Sequence, residues 1–177
     1  MRTSKTDEVH YFIGDLHYGQ NNVHITIRPE FDSAREHDNL IHRNILAVGD
    51  KTKVLWLTGD TFLSSASFWR LEAYRLKYQT VNIILGNHCH KGLAKYATSL
   101  KGVNVFGGIK RFGFWITHLT VNSIDLERGP NIHAHNHNRV CMIDQNSQLD
   151  KRYFCTSAEA INYTPISLGE IKRRMAL

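Results

Sequence analysis

The chain has 177 residues, 42% hydrophobic and 21% charged, which is enough for one domain with a substantial core and typical of a soluble globular protein. Twenty-two Lys and Arg against 16 Asp and Glu give +6, a balance that favours anionic ligands. The polar start, Met1 to Glu8, predicts neither a signal peptide nor a membrane span, and the sparse cysteines Cys89, Cys141 and Cys155 lack paired zinc spacing and read as reduced thiols in a cytoplasm.

In chain order, Val9 to Ile13 reads as a buried strand stopped by Gly14. About twenty residues of loop follow, through Gly19, Asn22 and Arg28-Pro29. Ser33-Ala34-Arg35-Glu36 is a capping-box pattern opening a helix with Ala34, Leu40, Ile41, Ile45 and Val48 on one face and Gly49 at its end. Val54 to Leu57 is a second strand, ending at Gly59-Asp60. A helix over 66–77 has Leu71, Tyr74 and Leu76 as inward candidates. Val81 to Leu85 is a third strand, ending at Gly86-Asn87-His88. A short helix covers Leu93 to Leu100. Strands are expected at Val103 to Phe106, Phe112 to Thr117, Asn131 to Ala134 and Val140 to Ile143. Ser167 to Glu170 caps a last helix over 168–176, whose Lys172-Arg173-Arg174 suits its dipole. Alternating strand and helix in the first half predicts an α/β fold with a mainly parallel sheet.

The polar motifs fall at the ends of these apolar runs, where such sheets bind ligands. They are Gly14-Asp15-Leu16-His17, Gly59-Asp60, Gly86-Asn87-His88, Thr117-His118 and His133-Ala134-His135-Asn136-His137. Asp15 and His17 are two apart, as are His135 and His137, so in extended chain each pair points to one side. Two carboxylates, an amide and several imidazoles form a donor set for two adjacent divalent ions, and that mixture suits manganese, iron, nickel, cobalt or zinc better than calcium. Glycine before these residues permits tight turns and close backbone approach to a phosphate.

In this order the motifs resemble those of the calcineurin-like metallophosphoesterases: D-x-H, G-D, G-N-H-[DE], a lone His, and G-H-x-H, here from Asp15 to His137. Gly19, Asn22, Arg28-Pro29-Glu30-Phe31, the Asn131 to His137 motif and Tyr163 to Ser167 resemble a compact subgroup common in phages and bacteria. The resemblance implies a four-layer α/β sandwich of two mixed sheets flanked by helices, and no insertion is large enough for a cap domain. It implies that Asp15, His17 and His137 hold one metal, that Asn87, His118 and His135 hold the other, and that Asp60 bridges them. Manganese is the foremost metal. His88 would stand beside the pair as an acid or phosphate stabiliser, while a bridging hydroxide attacks phosphorus.

Three positions depart from the pattern. Cys89 replaces the acidic residue that commonly orients the neighbouring His, Ala134 replaces a glycine, and Leu119-Thr120-Val121 follows the lone His. Asn22, Arg28 and Arg128 are candidate substrate contacts, the arginines as phosphate clamps. Cys89 and His133 are expected beside the ligands rather than among them. His10, His24, His37, His42 and His90 read as structural or surface residues, and Tyr18 and Trp115 as packing.

The expected activity is hydrolysis of a phosphodiester or nucleotide by a dinuclear metal enzyme. The alternatives are a DNA or RNA nuclease, a nucleotide phosphomonoesterase, and a metal-stabilised binding protein without catalysis. The expected partner is a phosphorylated small molecule or nucleotide, with nucleic acid as a second class and no membrane. The setting is a cytoplasm, the host's if the source is viral.

Overall fold

The computed structural model describes residues 4–137 and 149–177. It is a mixed α/β structure with two mixed sheets and flanking helices. Among the described residues the first sheet has five strands. They are β1 (His10–Ile13), β2 (Val54–Thr58), β3 (Thr80–Ile84), β4 (Val103–Phe106) and β9 (Ile166–Ser167), in the order β4-β3-β2-β1-β9. The four long strands are parallel, and β9 closes the edge antiparallel to β1. Covered parallel strands must be apolar on both faces, and Phe12, Ile13, Leu55, Trp56, Leu57, Val81, Ile83 and Ile84 are all buried. The register aligns Ile13 with Leu57 and Leu57 with Ile83, so the residues that follow β1, β2 and β3 emerge side by side at one edge.

The second sheet, β5-β6-β7-β8, comprises β5 (Gly108–Arg111), β6 (Phe114–Thr117), β7 (Asn131–His133) and β8 (Tyr153–Cys155). The two sheets are stitched together where their strands end. Gly14 N–H donates to the Thr156 carbonyl at 2.8 Å, Ala158 N–H donates back to the Gly14 carbonyl, and the Thr58 and Thr156 hydroxyls bond at 2.8 Å. One apolar cluster spans both sheets, from Phe12 through Phe114, Ile116 and Ile132 to Met175.

Six α-helices occur among the described residues: α1 (Lys5–Val9), α2 (Val23–Thr26), α3 (Ala34–Val48), α4 (Trp69–Lys77), α5 (Leu93–Thr98) and α6 (Leu168–Met175). Ser33 caps α3 and Ser167 caps α6, each hydroxyl accepting the N–H three residues on at 3.1 Å. Neither glutamate completes the box. Glu36 accepts from Asp32 N–H, and Glu170 pairs with Arg173 and Arg174.

The inward face of α3 includes His37, fully buried beside Ile41 and Ile45. On α4, Leu71 and Tyr74 point inward as expected. Leu76 does not: it is 61% exposed, and Arg70 is buried instead. The strand expected to start at Phe112 begins at Phe114, because Phe112 and Gly113 form the turn of a β5–β6 hairpin, both with positive φ. The short strands β5, β8 and β9 lie where no strand was expected, and the expected strand at Val140 to Ile143 lies outside the described residues. No helix among the described residues is long and apolar enough to cross a membrane.

The helices carry two testable consequences. Removing the α3 cap with Ser33→Ala should cost about 1 kcal/mol, read as a lower urea midpoint at unchanged slope. His42 is pushed down to about 4 by burial and by the nearby Arg70 charge, against 6.5 when unfolded. The unfolded chain therefore takes up this proton first as pH falls. The stability it contributes is complete above pH 6.5 and is lost towards pH 4. The Tm of the wild type should drop across that window, and His42→Gln should shrink the drop.

Candidate metal centre

Each strand end delivers one part of the site. Asp15 and His17 follow β1, Asp60 follows β2, Asn87 and His88 follow β3, His118 follows β6, and His135 and His137 follow β7. The structure brings them into two groups. One ligand-capable atom from each of Asp15, His17 and His137 lies within 4.8 Å of the others, and the same holds for Asp60, His118 and His135. Asn87 joins the second group, with Oδ1 2.9 Å from His118 Nε2. The groups touch: His135 N–H donates to Asp15 Oδ2 at 2.7 Å, and His118 Nδ1 is 3.9 Å from Asp15 Oδ1.

The two-residue spacing works differently from the extended-chain expectation. Asp15, His17, Asp60, His135 and His137 all have positive φ, between 44° and 71°. Left-handed backbone costs a non-glycine residue about 1–3 kcal/mol and concentrates at functional sites. Neighbouring backbone holds it in place. Asp15 N–H donates to the Gly59 carbonyl, His17 N–H to that of Asp60 and Tyr18 N–H to that of Thr61, all at 2.9–3.0 Å. Leu16, between the first two kinks, and Ala134, just before the last two, are fully buried.

The glycines make room for the site's own groups rather than for a ligand. A Cβ on Gly59, where φ is +99°, would lie 2.2 Å from His118 Nδ1. One on Gly86 would lie 2.1 Å from Asp60 Oδ1. Ala134 has no positive φ, and its methyl group occupies the space that a Cβ on Gly14 would need.

Three imidazoles are oriented through Nδ1. His17 Nδ1 donates to Gln20 Oε1 at 2.6 Å, His118 Nδ1 to the Thr58 carbonyl at 3.1 Å, and His137 Nδ1 to Glu159 Oε1 at 2.5 Å. Such partners fix the tautomer and leave Nε2 as the free lone pair, the arrangement found around metal-bound histidines. Ser157 Oγ–H donates to Asp15 Oδ2. Asp15 Oδ1 and His17 Nε2 are then buried polar atoms with no hydrogen-bond partner. His118 Nε2 faces Asp60 Oδ2 at 3.2 Å and Asn87 Oδ1 at 2.9 Å.

The electrostatics follow. Burial pushes the His17 imidazole down to about 4. Burial also pushes His118 down, but Asp60 and Asp15 outweigh it and raise the pKa. Burial pushes Asp60 up, and its hydrogen bond and attraction to His118, with the His88 N–H, bring the carboxyl below its usual range. Glu159 is held at about 2 despite burial, by the His137 hydrogen bond and the Arg28 charge.

The remaining candidates divide. His88 is exposed, its ring 6.3 Å from that of His17, and its N–H donates to Asp60 Oδ1 at 2.8 Å. Cys89 does not orient it: the thiol accepts Gly86 N–H at 3.3 Å, closing the turn behind Asp60. His133 is fully buried, its Nδ1 bonded to the Ala134 carbonyl and its ring edge-on to Tyr153. Asn22 is exposed and accepts from Gln20, the partner of His17.

Arg28 is no phosphate clamp. It is 1% exposed and bonded to Glu159, to the Asp15 carbonyl and to His37. Arg128 is exposed, ending the turn Ser123–Arg128, and among the described residues it has no hydrogen bond or ion pair to the cluster. Tyr18 is core, while Trp115 is half-buried, with its Nε1–H on the Asp125 carbonyl.

Gln20, Ser157, Glu159 and the Thr58 carbonyl belong to the site although no sequence motif marks them. A cavity of about 920 Å³ lies elsewhere, lined by Phe112, Phe114, Pro130 and Leu177 with Asp7 and Glu170, and shares no residue with the cluster.

No family model matches the chain, and no curated protein matches it. Among solved structures it is similar to a protein of unknown function, AQ665 from Aquifex aeolicus, with a TM-score of 0.66 and 21% identity, covering 93% of this chain and 97% of that chain. At that identity the likeness shows the fold.

Gly59→Ala tests the packing argument. It should destabilise the chain, lowering the Tm, and displace His118, shifting its imidazole resonances in an NMR spectrum, while far-UV circular dichroism below the melting transition stays native. Resonances unchanged from wild type would show that the imidazole does not depend on this glycine.

Proposed function

We propose that the cluster holds two divalent metal ions and that the protein hydrolyses a phosphate ester, in the manner of a compact calcineurin-like metallophosphoesterase. The observation that carries this reading is the set of buried donor atoms that lack protons to share. Asp15 Oδ1 and His17 Nε2 have no partner, and His118 Nε2 lies 2.9 Å from Asn87 Oδ1 and 3.2 Å from Asp60 Oδ2. Buried polar atoms without partners are costly. A cation among them would relieve that cost, so the donor set fits the group. The two mixed sheets, read with the order of motifs, support the metallophosphatase-like version of the fold.

In this reading Asp15, His17 and His137 hold one ion, Asn87, His118 and His135 the other, and Asp60 serves both. Bound together, two such ions supply Lewis acidity towards phosphoryl oxygens and lower the pKa of water, the chemistry that ester hydrolysis needs. The chain does the rest. Gln20, the Thr58 carbonyl and Glu159 hold the imidazoles in one tautomer. Asp60, fixed by His88 N–H, keeps its carboxylate directed at the cluster. His88, exposed beside His17, is placed to hold a phosphate oxygen or pass a proton to the leaving oxygen. With Arg28 buried, His88 is the side chain beside the cluster that would contact a phosphate oxygen.

The test compares the initial rates of Mn2+-loaded wild type and Asp60→Asn on bis(p-nitrophenyl) phosphate and on p-nitrophenyl phosphate. Turnover is expected, and the variant should lose more than the roughly 10–100-fold that removing an outer-shell partner costs. Diester preference directs the search to cyclic, dinucleotide and nucleic-acid substrates, and monoester preference to nucleotides. Wild-type protein that binds no Mn2+ would overturn the proposal. Two bound ions with no turnover on any phosphoester would leave a binding protein.

A further inference from the structure

Arg28 and His37 are buried, charged or chargeable, and absorbed by no step above. They belong to a continuous polar chain that runs under the loop carrying Asp15 and His17. Arg28 Nη2 donates to the Asp15 carbonyl at 2.6 Å and to Glu159 Oε2 at 2.5 Å, and Nε donates to the same Glu159 oxygen at 3.2 Å. The other Glu159 oxygen takes His137 Nδ1–H. On the opposite side Arg28 Nη1 donates to His37 Nε2, His37 Nδ1 donates to Asp38 Oδ1 at 2.9 Å, and Asp38 Oδ2 accepts Gly19 N–H at 3.2 Å. Every donor in the chain meets an acceptor. Aromatic rings box it in: Phe31 packs edge-on to both His37 and Tyr163, and Tyr163 lies 5.4 Å from the Arg28 guanidinium carbon.

We infer that Arg28 and Glu159 are positioning residues for one metal site only, the one formed by Asp15, His17 and His137. This rests on the proposed function. The geometry carries the selectivity. The loop from Asp15 to Gly19 is pinned at both ends, at Asp15 by Arg28 itself and at Gly19 through His37 and Asp38. The same guanidinium fixes Glu159, which aims His137 from the other sheet, 131 positions away in sequence from Arg28. One planar fork therefore sets the separation between two ligand-bearing segments that share no strand. In the other group Asp60 and His118 receive their orienting bonds from the His88 N–H and the Thr58 carbonyl, and His135 meets Asp15 through its backbone N–H, so the fork aims no side chain of that group. A lysine side chain could not replace the fork, because an ammonium cannot span two acceptors on one side and an imidazole on the other in a fixed plane.

The experiment is a calorimetric Mn2+ titration of metal-stripped protein with its thermal melt alongside. Wild type should bind two ions. Glu159→Gln, isosteric and without the charge, should retain one ion at wild-type affinity and bind the second about 10–100-fold more weakly. Arg28→Lys should do the same.

Two comparisons separate positioning from general loosening. Tyr78→Phe removes the buried bond from the Tyr78 hydroxyl to the Ile45 carbonyl, away from the ligand loop, and should lower the Tm while keeping both ions. In a His137→Ala background, Glu159→Gln should weaken binding no further, because both changes act on one site. Two ions bound at wild-type affinity by Glu159→Gln would overturn the inference alone. Equal weakening of both ions, or the same loss in Tyr78→Phe, would also overturn it. Wild type binding no Mn2+ would overturn the metal reading and this inference with it.

Discussion

The structure is organised around polar atoms crowded at the strand ends. With Nδ1 on the Thr58 carbonyl, His118 turns Nε2 to Asp60 and Asn87, and a proton there, favoured by its raised pKa, satisfies Asp60. Asp15 Oδ1 and His17 Nε2 are buried with no hydrogen-bond partner. A divalent cation would supply one. Much nearby sequence serves to hold these groups where, without a cation, they would rather not be. Positive φ at five positions of the cluster, glycines at the two places where a methyl group would strike His118 or Asp60, and the bond from Gly86 to Cys89 all act to that end.

The departures from the expected motif read differently in this light. Cys89 stands where a carboxylate was expected to steer His88. Its thiol instead closes the turn whose glycine packs on Asp60, and so acts on the carboxylate, not on the imidazole. Ala134 adds a methyl group where glycine was expected, and Gly14 supplies the space. Both positions keep the strand ends close packed, and neither takes a donor atom from the cluster.

Much of this is legible in the sequence, for physical reasons. Strands buried on both faces are apolar runs, and their ends are punctuated by glycine, so β1, β2 and β3 and the residues beyond them can be placed from local pattern. Orienting partners have no such signature. Glu159 reaches His137 from 22 positions away, and Arg28 reaches Glu159 across most of the chain. The clamp expectation for Arg28 fails because an arginine beside a proline in a loop is ordinarily solvated. What buries it is a set of acceptors supplied by Asp15, His37 and Glu159, each ordinary in its own stretch of sequence. β5 is largely exposed with Ile109 its one apolar side chain, and β8 has no buried residue, so neither shows an apolar run, and Leu76 has helical spacing but lies on the solvent side of α4.

The cost of this arrangement is paid by the scaffold rather than by any ligand. Left-handed Asp15, His17 and Asp60 are not free to relax, because the backbone donors at Asp15, His17 and Tyr18 are bonded to carbonyls of the β2 loop, and the Arg28 fork holds the Asp15 carbonyl. Releasing the strain would break several buried hydrogen bonds at once, each left without water to replace it. The donor geometry is therefore a property of the folded chain. A cation entering it would find its donor atoms already turned inward, and its binding energy would go to satisfying unpartnered buried atoms rather than to ordering side chains. That favours a site whose affinity depends on the groups behind the ligands as much as on the ligands themselves.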